Sequence, residues 1–172
     1  ITLSTTSDVT TTSGDIRLYA GINITVGGVV STTGSVSASA MTGWVRDGDS
    51  DGSLDILAYG LRLFSFVGVG EVGLTVNPIE TTVSILSGRA GTEGFNILES
   101  NQLIIGDTSV TVTRVNSDAS GSAVTDVTQS DIVTTDNGSI VVRTINGDFS
   151  LFDGTSPQND VAVRADGTGR IL

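Results

Sequence analysis

GDIRLYA (residues 14–20) and GSVSASA (34–40) repeat one phrase: a glycine, a polar residue, then apolar residues at every second position. The phrase returns as GSLDILA (52–58) and GEVGLTV (70–76), so the four glycines are spaced by 20, 18 and 18 residues. Alternation with period 2 is the mark of a strand, and glycine before it marks a tight turn. Related starts recur at GSIVVRT (from Gly138), GDFSLFD (from Gly147) and GRIL (from Gly169). A turn-plus-strand phrase every 18 to 22 residues predicts one coil of a right-handed parallel β-helix per repeat.

The rest of the chain agrees in type. ITLST, INITVG, TTVSIL, FNILES, SVTVTRV and VAVRA also alternate, and no long segment shows helical periodicity. A β-sandwich is the alternative, since sandwich strands also recur at even spacing. Against it stand the mutual likeness of the phrases and an aromatic share of only 5%. About eight rungs are expected, roughly 40 Å of stack at the ~4.8 Å strand spacing. Ile16, Leu18, Val36, Leu54, Ile56, Val83, Ile85, Ile97, Ile140, Val142, Phe149, Leu151, Val161 and Val163 are expected to point inward. Residues 60–125 keep the period poorly. Pro78 belongs at a turn, strand end or edge, and RVNSDASGSAVTDVTQSD (114–131) reads as a polar loop leaving the stack. The 172 residues are expected to form a single solenoid module.

Composition limits the chemistry. The net charge is -11 and the pI about 4.1, which disfavours nucleic-acid backbones and anionic membrane surfaces and favours cations. There is no cysteine and no histidine, and every basic residue is arginine. Thiolate and imidazole chemistry, Schiff bases and a phosphate-loop lysine are therefore excluded. No apolar run reaches membrane-spanning length, so insertion into a bilayer is not expected.

The stretch from Leu61 to Asp107 and on to Leu172 resembles the tandem β-helix repeats of very large exported bacterial surface proteins, of the filamentous-haemagglutinin or adhesin kind. NPIETTVSIL, FNILESNQLIIGD, SVTVTRVNSD, QSDIVTTDNGSIVVRT, NGDFSLFDGTSP and VAVRADGTGRIL carry the likeness. GDIRLYAGINITV and GSVSASA carry it less specifically. The resemblance implies a non-enzymatic structural module, extracellular or at the cell surface, recurring many times. It brings no catalytic residues with it.

RDGDSDGSLD (46–55) lies outside the resemblance. Asp47, Asp49 and Asp51 alternate, Gly52 permits a sharp turn, and the Ser53 carbonyl and Asp55 continue an EF-hand-like ligand order. The twelfth position is Ala58, where an EF-hand has its bidentate glutamate, and no helices flank the loop. A complete EF-hand is rejected. A shorter calcium loop built from Asp47, Asp49, Asp51, Ser53 and Asp55 remains, beside the reading of a solvated acidic turn. Asp153, Asp160 and Asp166 read as turn residues. Arg17, Arg143 and Arg164 read as outward partners of acidic neighbours, and Trp44 and Tyr59 as packing beside the acidic loop.

Three functions compete. The first is a structural module of a fibre or long surface protein. Its ITLST start and GRIL finish look like open rungs that stack head to tail on identical or tandem copies. The second is an adhesin for a glycan or host protein. The third is a polysaccharide lyase, for which calcium and arginine are available and lysine is not.

Overall fold

The computed structural model describes residues 1–49, 51–73 and 76–172. Among them the only regular elements are strands. Among the described residues no helix is long and apolar enough to cross a membrane.

The chain runs through the same three positions again and again. A first pass comprises β1 (Thr2–Leu3), β2 (Val9–Thr10) and β3 (Ile16–Ala20). A second comprises β4 (Ile24–Val26), β5 (Val30–Ser31) and β6 (Ser35–Ala40). The third joins β7 (Val45–Asp47) to the long β8 (Ile56–Ser65), and the fourth joins β9 (Gly68–Val69) to β10 (Ile79–Ala90). The fifth holds β11 (Gly94–Glu99) and β12 (Leu103–Ile105). It then departs into β13 (Thr108–Val115) and β14 (Gly121–Gln129) before returning as β15 (Ile132–Thr134). The sixth is β16 (Ile140–Thr144), β17 (Phe149–Leu151) and β18 (Val163–Arg164), and a bridge from Ile140 to Ile171 opens a seventh.

All strands but β13 and β14 belong to one 16-stranded sheet, in which every strand pair is parallel. The two antiparallel sheets of a sandwich do not arise. The protein is all-β, built on a large curled parallel sheet compatible with a solenoid.

Parallel pairing puts equivalent residues of successive passes above one another, and the interior is a set of columns. One column runs Ile24, Val45, Val69, Phe95, Ile140. A second runs Ile16, Val36, Leu61, Leu86, Ile105, Leu151. Nearly all of these side chains are fully buried. β-branched residues suit such columns because their restricted χ1 matches the pleated surface. A third column changes character, from Val9, Val30 and Ile56 to Thr81 and Glu99. Gly88 stands below Leu63 in a fourth, because the Phe95 ring fills the space a side chain there would need.

Four expectations need revision. The stack has six passes and the start of a seventh, not eight, because inserted segments lengthen several passes. The GSLDILA phrase does not continue GSVSASA: Val36 pairs with Leu61, whereas Ile56 continues Val30. The described residues of GEVGLTV form no core strand. Glu71 bridges Asn77 in a segment that leaves the sheet between β9 and β10, and Leu74 and Thr75 lie outside the described residues. Residues 114–131 are no irregular loop. Most of them complete an antiparallel hairpin of β13 and β14, in which Val112 faces Val124. Pro78 sits immediately before β10, at a strand end as expected.

Most of the expected inward residues are buried or half-buried, but Phe149 and Leu151 are 42% and 53% exposed. They continue interior columns (Leu151 beneath Ile105), yet little covers them. With Ile140, Val142, Ile171 and Leu172 they line an open apolar cavity of about 470 Å³.

The hairpin folds back across the β3–β6–β8 face. Thr111 N–H donates to Asp15 Oδ2 (3.2 Å), Arg62 Nε to the Val127 carbonyl (3.2 Å), and Gln129 Nε2 to the Leu63 carbonyl (2.9 Å).

Candidate functional site

One corner of the stack is built differently in successive passes. In the second pass the chain turns directly through Gly27 and Gly28, where a Cβ on Gly28 would collide with backbone oxygens of Ser4 and Ser7. The third pass instead leaves the sheet after Asp47 and re-enters at Asp55. The fourth leaves after Val69 and re-enters at Ile79. The strand residues that flank the two excursions lie one above the other: Val45 pairs with Val69 and Ile56 with Thr81.

Three carboxylates meet at the base of these excursions. Asp47 continues an inward column that begins Leu3 and Val26. Asp55 and Glu80 occupy neighbouring passes. The Asp55 N–H donates to the Glu80 carbonyl and the Glu80 N–H to Asp55 Oδ2, each at 3.0 Å. One carboxylate oxygen from each of Asp47, Asp55 and Glu80 lies within 4.8 Å of the other two. The three residues are only 5%, 3% and 8% exposed.

Burial and like charge act together on Asp55 and Glu80. Burial, followed by the negative charges of Asp47 and Glu80, pushes the Asp55 carboxyl up to about 9, against the opposing hydrogen bond from the Glu80 backbone. Burial likewise raises Glu80, a hydrogen bond from the Asp55 side chain opposes the rise, and the charges of Asp47 and Asp49 add to it. Glu80 Oε2 is buried and accepts no hydrogen bond. Buried polar atoms are nearly always partnered, so such an atom calls for an explanation. Oxygen-only donor sets of this kind suit a hard cation.

Of the five residues expected to hold calcium, the structure brings Asp47 and Asp55 together and leaves Asp49, Asp51 and Ser53 outside the convergence. Those three shape the excursion itself. Asp49 N–H donates to Asp47 Oδ1 (3.0 Å), Asp51 N–H to Asp49 Oδ1 (3.3 Å) and Ser53 N–H to Asp51 Oδ1 (2.7 Å), a run of side-chain turns ending on Gly52 at φ +76°. Hydrogen bonds from Ser53 hold the Asp51 carboxyl below its usual range. Ser50 lies outside the described residues. Glu80 was missed because it is distant in sequence. Its signal was the offset: Asp55 to Glu80 spans the same 25 residues as Ile56 to Thr81.

Several other acidic residues serve turns and docking. Asp153 accepts the backbone N–H groups of Asn159 and Asp160. Arg17 pairs with Asp126, as an outward-facing arginine should. The Arg46 guanidinium lies 5.6 Å from the Trp44 ring, and Tyr59 is exposed.

No family model matches this chain, and neither a characterised protein nor a solved structure is significantly similar to it. The haemagglutinin-like resemblance therefore rests on the quoted phrases alone.

Proposed function

We propose that the chain is a right-handed parallel β-helix serving as a non-enzymatic structural module of an extracellular fibre or long cell-surface protein. The observation that carries this reading is the parallel register of successive passes, which stacks like residue types into continuous interior columns. Right-handed connection between parallel strands of one sheet is the general rule. An acidic surface without lysine and the likeness to exported repeat modules support the location.

Stacking extends beyond the sixth pass in this reading. Phe149, Leu151 and Ile171 present to solvent the residue types that earlier passes bury, and another pass, from a continuing chain or a second copy, covers them. The contact is heterologous, so repetition gives a filament. Sedimentation velocity and negative-stain electron microscopy over a concentration series test this. Rods of constant width and growing length are expected, and a monomer at every concentration would overturn end-to-end stacking of copies.

A second reading, an adhesin for a glycan or host protein, draws on the groove between hairpin and sheet. Tyr19, Met41, Phe64 and Arg62 line it beside Asp126 and Val127.

A further inference from the structure

We propose that Asp47, Asp55 and Glu80 together bind one calcium ion, which clamps the third pass to the fourth at the corner where both send out loops. The geometry fits first. Two oxygens at about 2.4 Å from a common ion stand at most about 4.8 Å apart, within the range of calcium–oxygen distances. The three carboxylate oxygens lie within 4.8 Å of one another.

The second support is independent of the clustering. Glu80 is 8% exposed, and its Oε2 atom is buried without a hydrogen-bond partner. A buried acceptor left unpartnered is costly, and a buried carboxylate more so. A divalent cation supplies the missing partner.

The chemistry selects the ion. The donors are carboxylate oxygens, and the chain offers no thiolate or imidazole for zinc or copper. Magnesium demands a near-ideal octahedron and keeps its water, whereas calcium accepts irregular oxygen sets. Donors fixed on two separate passes, with one backbone hydrogen bond already held by Asp55 Oδ2, make an irregular set.

The clamp differs from an ordinary calcium loop. Asp47 and Asp55 are the two ends of the first excursion, so the ion closes its neck. Glu80 belongs to the next pass, so the ion also joins neighbours in the stack. The loop carboxylates Asp49 and Asp51 remain engaged with backbone N–H groups.

Chelator-stripped protein titrated with calcium by calorimetry, with thermal unfolding alongside, tests the site. One binding event with a dissociation constant below about 1 mM is expected, with an unfolding temperature that climbs as calcium is added and responds less to magnesium. Asp55→Asn and Glu80→Gln should each weaken binding at least about tenfold, while Asp51→Asn leaves it unchanged. The absence of calcium binding in the wild type would overturn the proposal. So would an Asp51→Asn variant that loses as much affinity as Glu80→Gln, since the loop would then be the site. Should the buried variants fail to fold, the wild-type titration and Asp51→Asn still decide between these outcomes.

Discussion

Arg17 of the first pass grips Asp126 of the hairpin through two parallel bonds, Nε to Oδ2 at 2.9 Å and Nη2 to Oδ1 at 2.9 Å, across 109 residues of sequence. The forked geometry is the strongest form of a charge-assisted hydrogen bond. The side chains are 20% and 11% exposed, so solvent screens the pair little. The Arg17 guanidinium also lies 4.6 Å from the Tyr19 ring, which fixes it from a second side.

Asp126→Asn is expected to destabilise the protein by about 1–3 kcal/mol by leaving Arg17 without its charge partner. Burial alone would raise the Asp126 carboxyl, but the hydrogen bond and charge of Arg17, with the charge of Arg62, hold it below the usual 3.8. A depressed folded value means that the stabilisation is present above pH 3.8 and is lost as the pH falls through that lower value. Urea midpoints measured against pH should therefore separate wild type from variant at neutral pH and converge in strong acid.

Glu99 stands in the polar part of a column that begins apolar, between Thr81 and Thr144. Its Oε2 accepts from Thr81 Oγ1 (2.7 Å) and Val83 N–H (3.0 Å), and Oε1 accepts from Asn101 N–H (3.0 Å). Glu99→Ala strands three donors and opens a cavity, so a loss on the order of 3 kcal/mol or more is expected in denaturant unfolding. Burial raises the Glu99 carboxyl despite these bonds. Its contribution is therefore complete below pH 4.5 and declines as the pH rises through the elevated folded value. A Glu99→Gln variant should lose that slope.

Gly88→Ala places a methyl group against the Phe95 ring. Overpacking of this kind costs about 1–3 kcal/mol. The double variant Gly88→Ala, Phe95→Leu should recover part of the loss, and a double-mutant cycle with no coupling would show that the ring has other room to move.

Phe149→Asp with Leu151→Asp should abolish end-to-end association and leave the unfolding temperature nearly unchanged, because both side chains are already exposed. Variants that still form rods would remove the apolar mouth from the stacking contact.

The strand phrases were legible because alternation survives in almost every one, and Ile16 does pair with Val36 at the 20-residue offset of their glycines. The register was not legible beyond that. The excursions after Asp47 and Val69 add residues at a corner without changing the sheet, so Val36 meets Leu61 and the glycine of GSLDILA marks a loop. The hairpin strand Gly121–Gln129 was hidden because it is largely exposed on one side, and its Thr, Ser and Asp residues read as a turn. At the acidic corner, Asp47 and Asp55 were visible as a local cluster. Glu80 became visible only once the offset between passes was known, since pairing across a parallel sheet joins residues that share no local motif.

In a stack where each pass touches only its neighbours, passes can open one at a time, like a coil drawn from its end. The hairpin removes that freedom here. It springs from the fifth pass, crosses Leu63 and Arg62 of the third and is fastened to Asp15 and Arg17 of the first. A force that peels off the first pass must therefore tear the hairpin loose as well. Amide hydrogen exchange should find these passes opening together as one cooperative block, with independent fraying confined to the sixth pass and beyond.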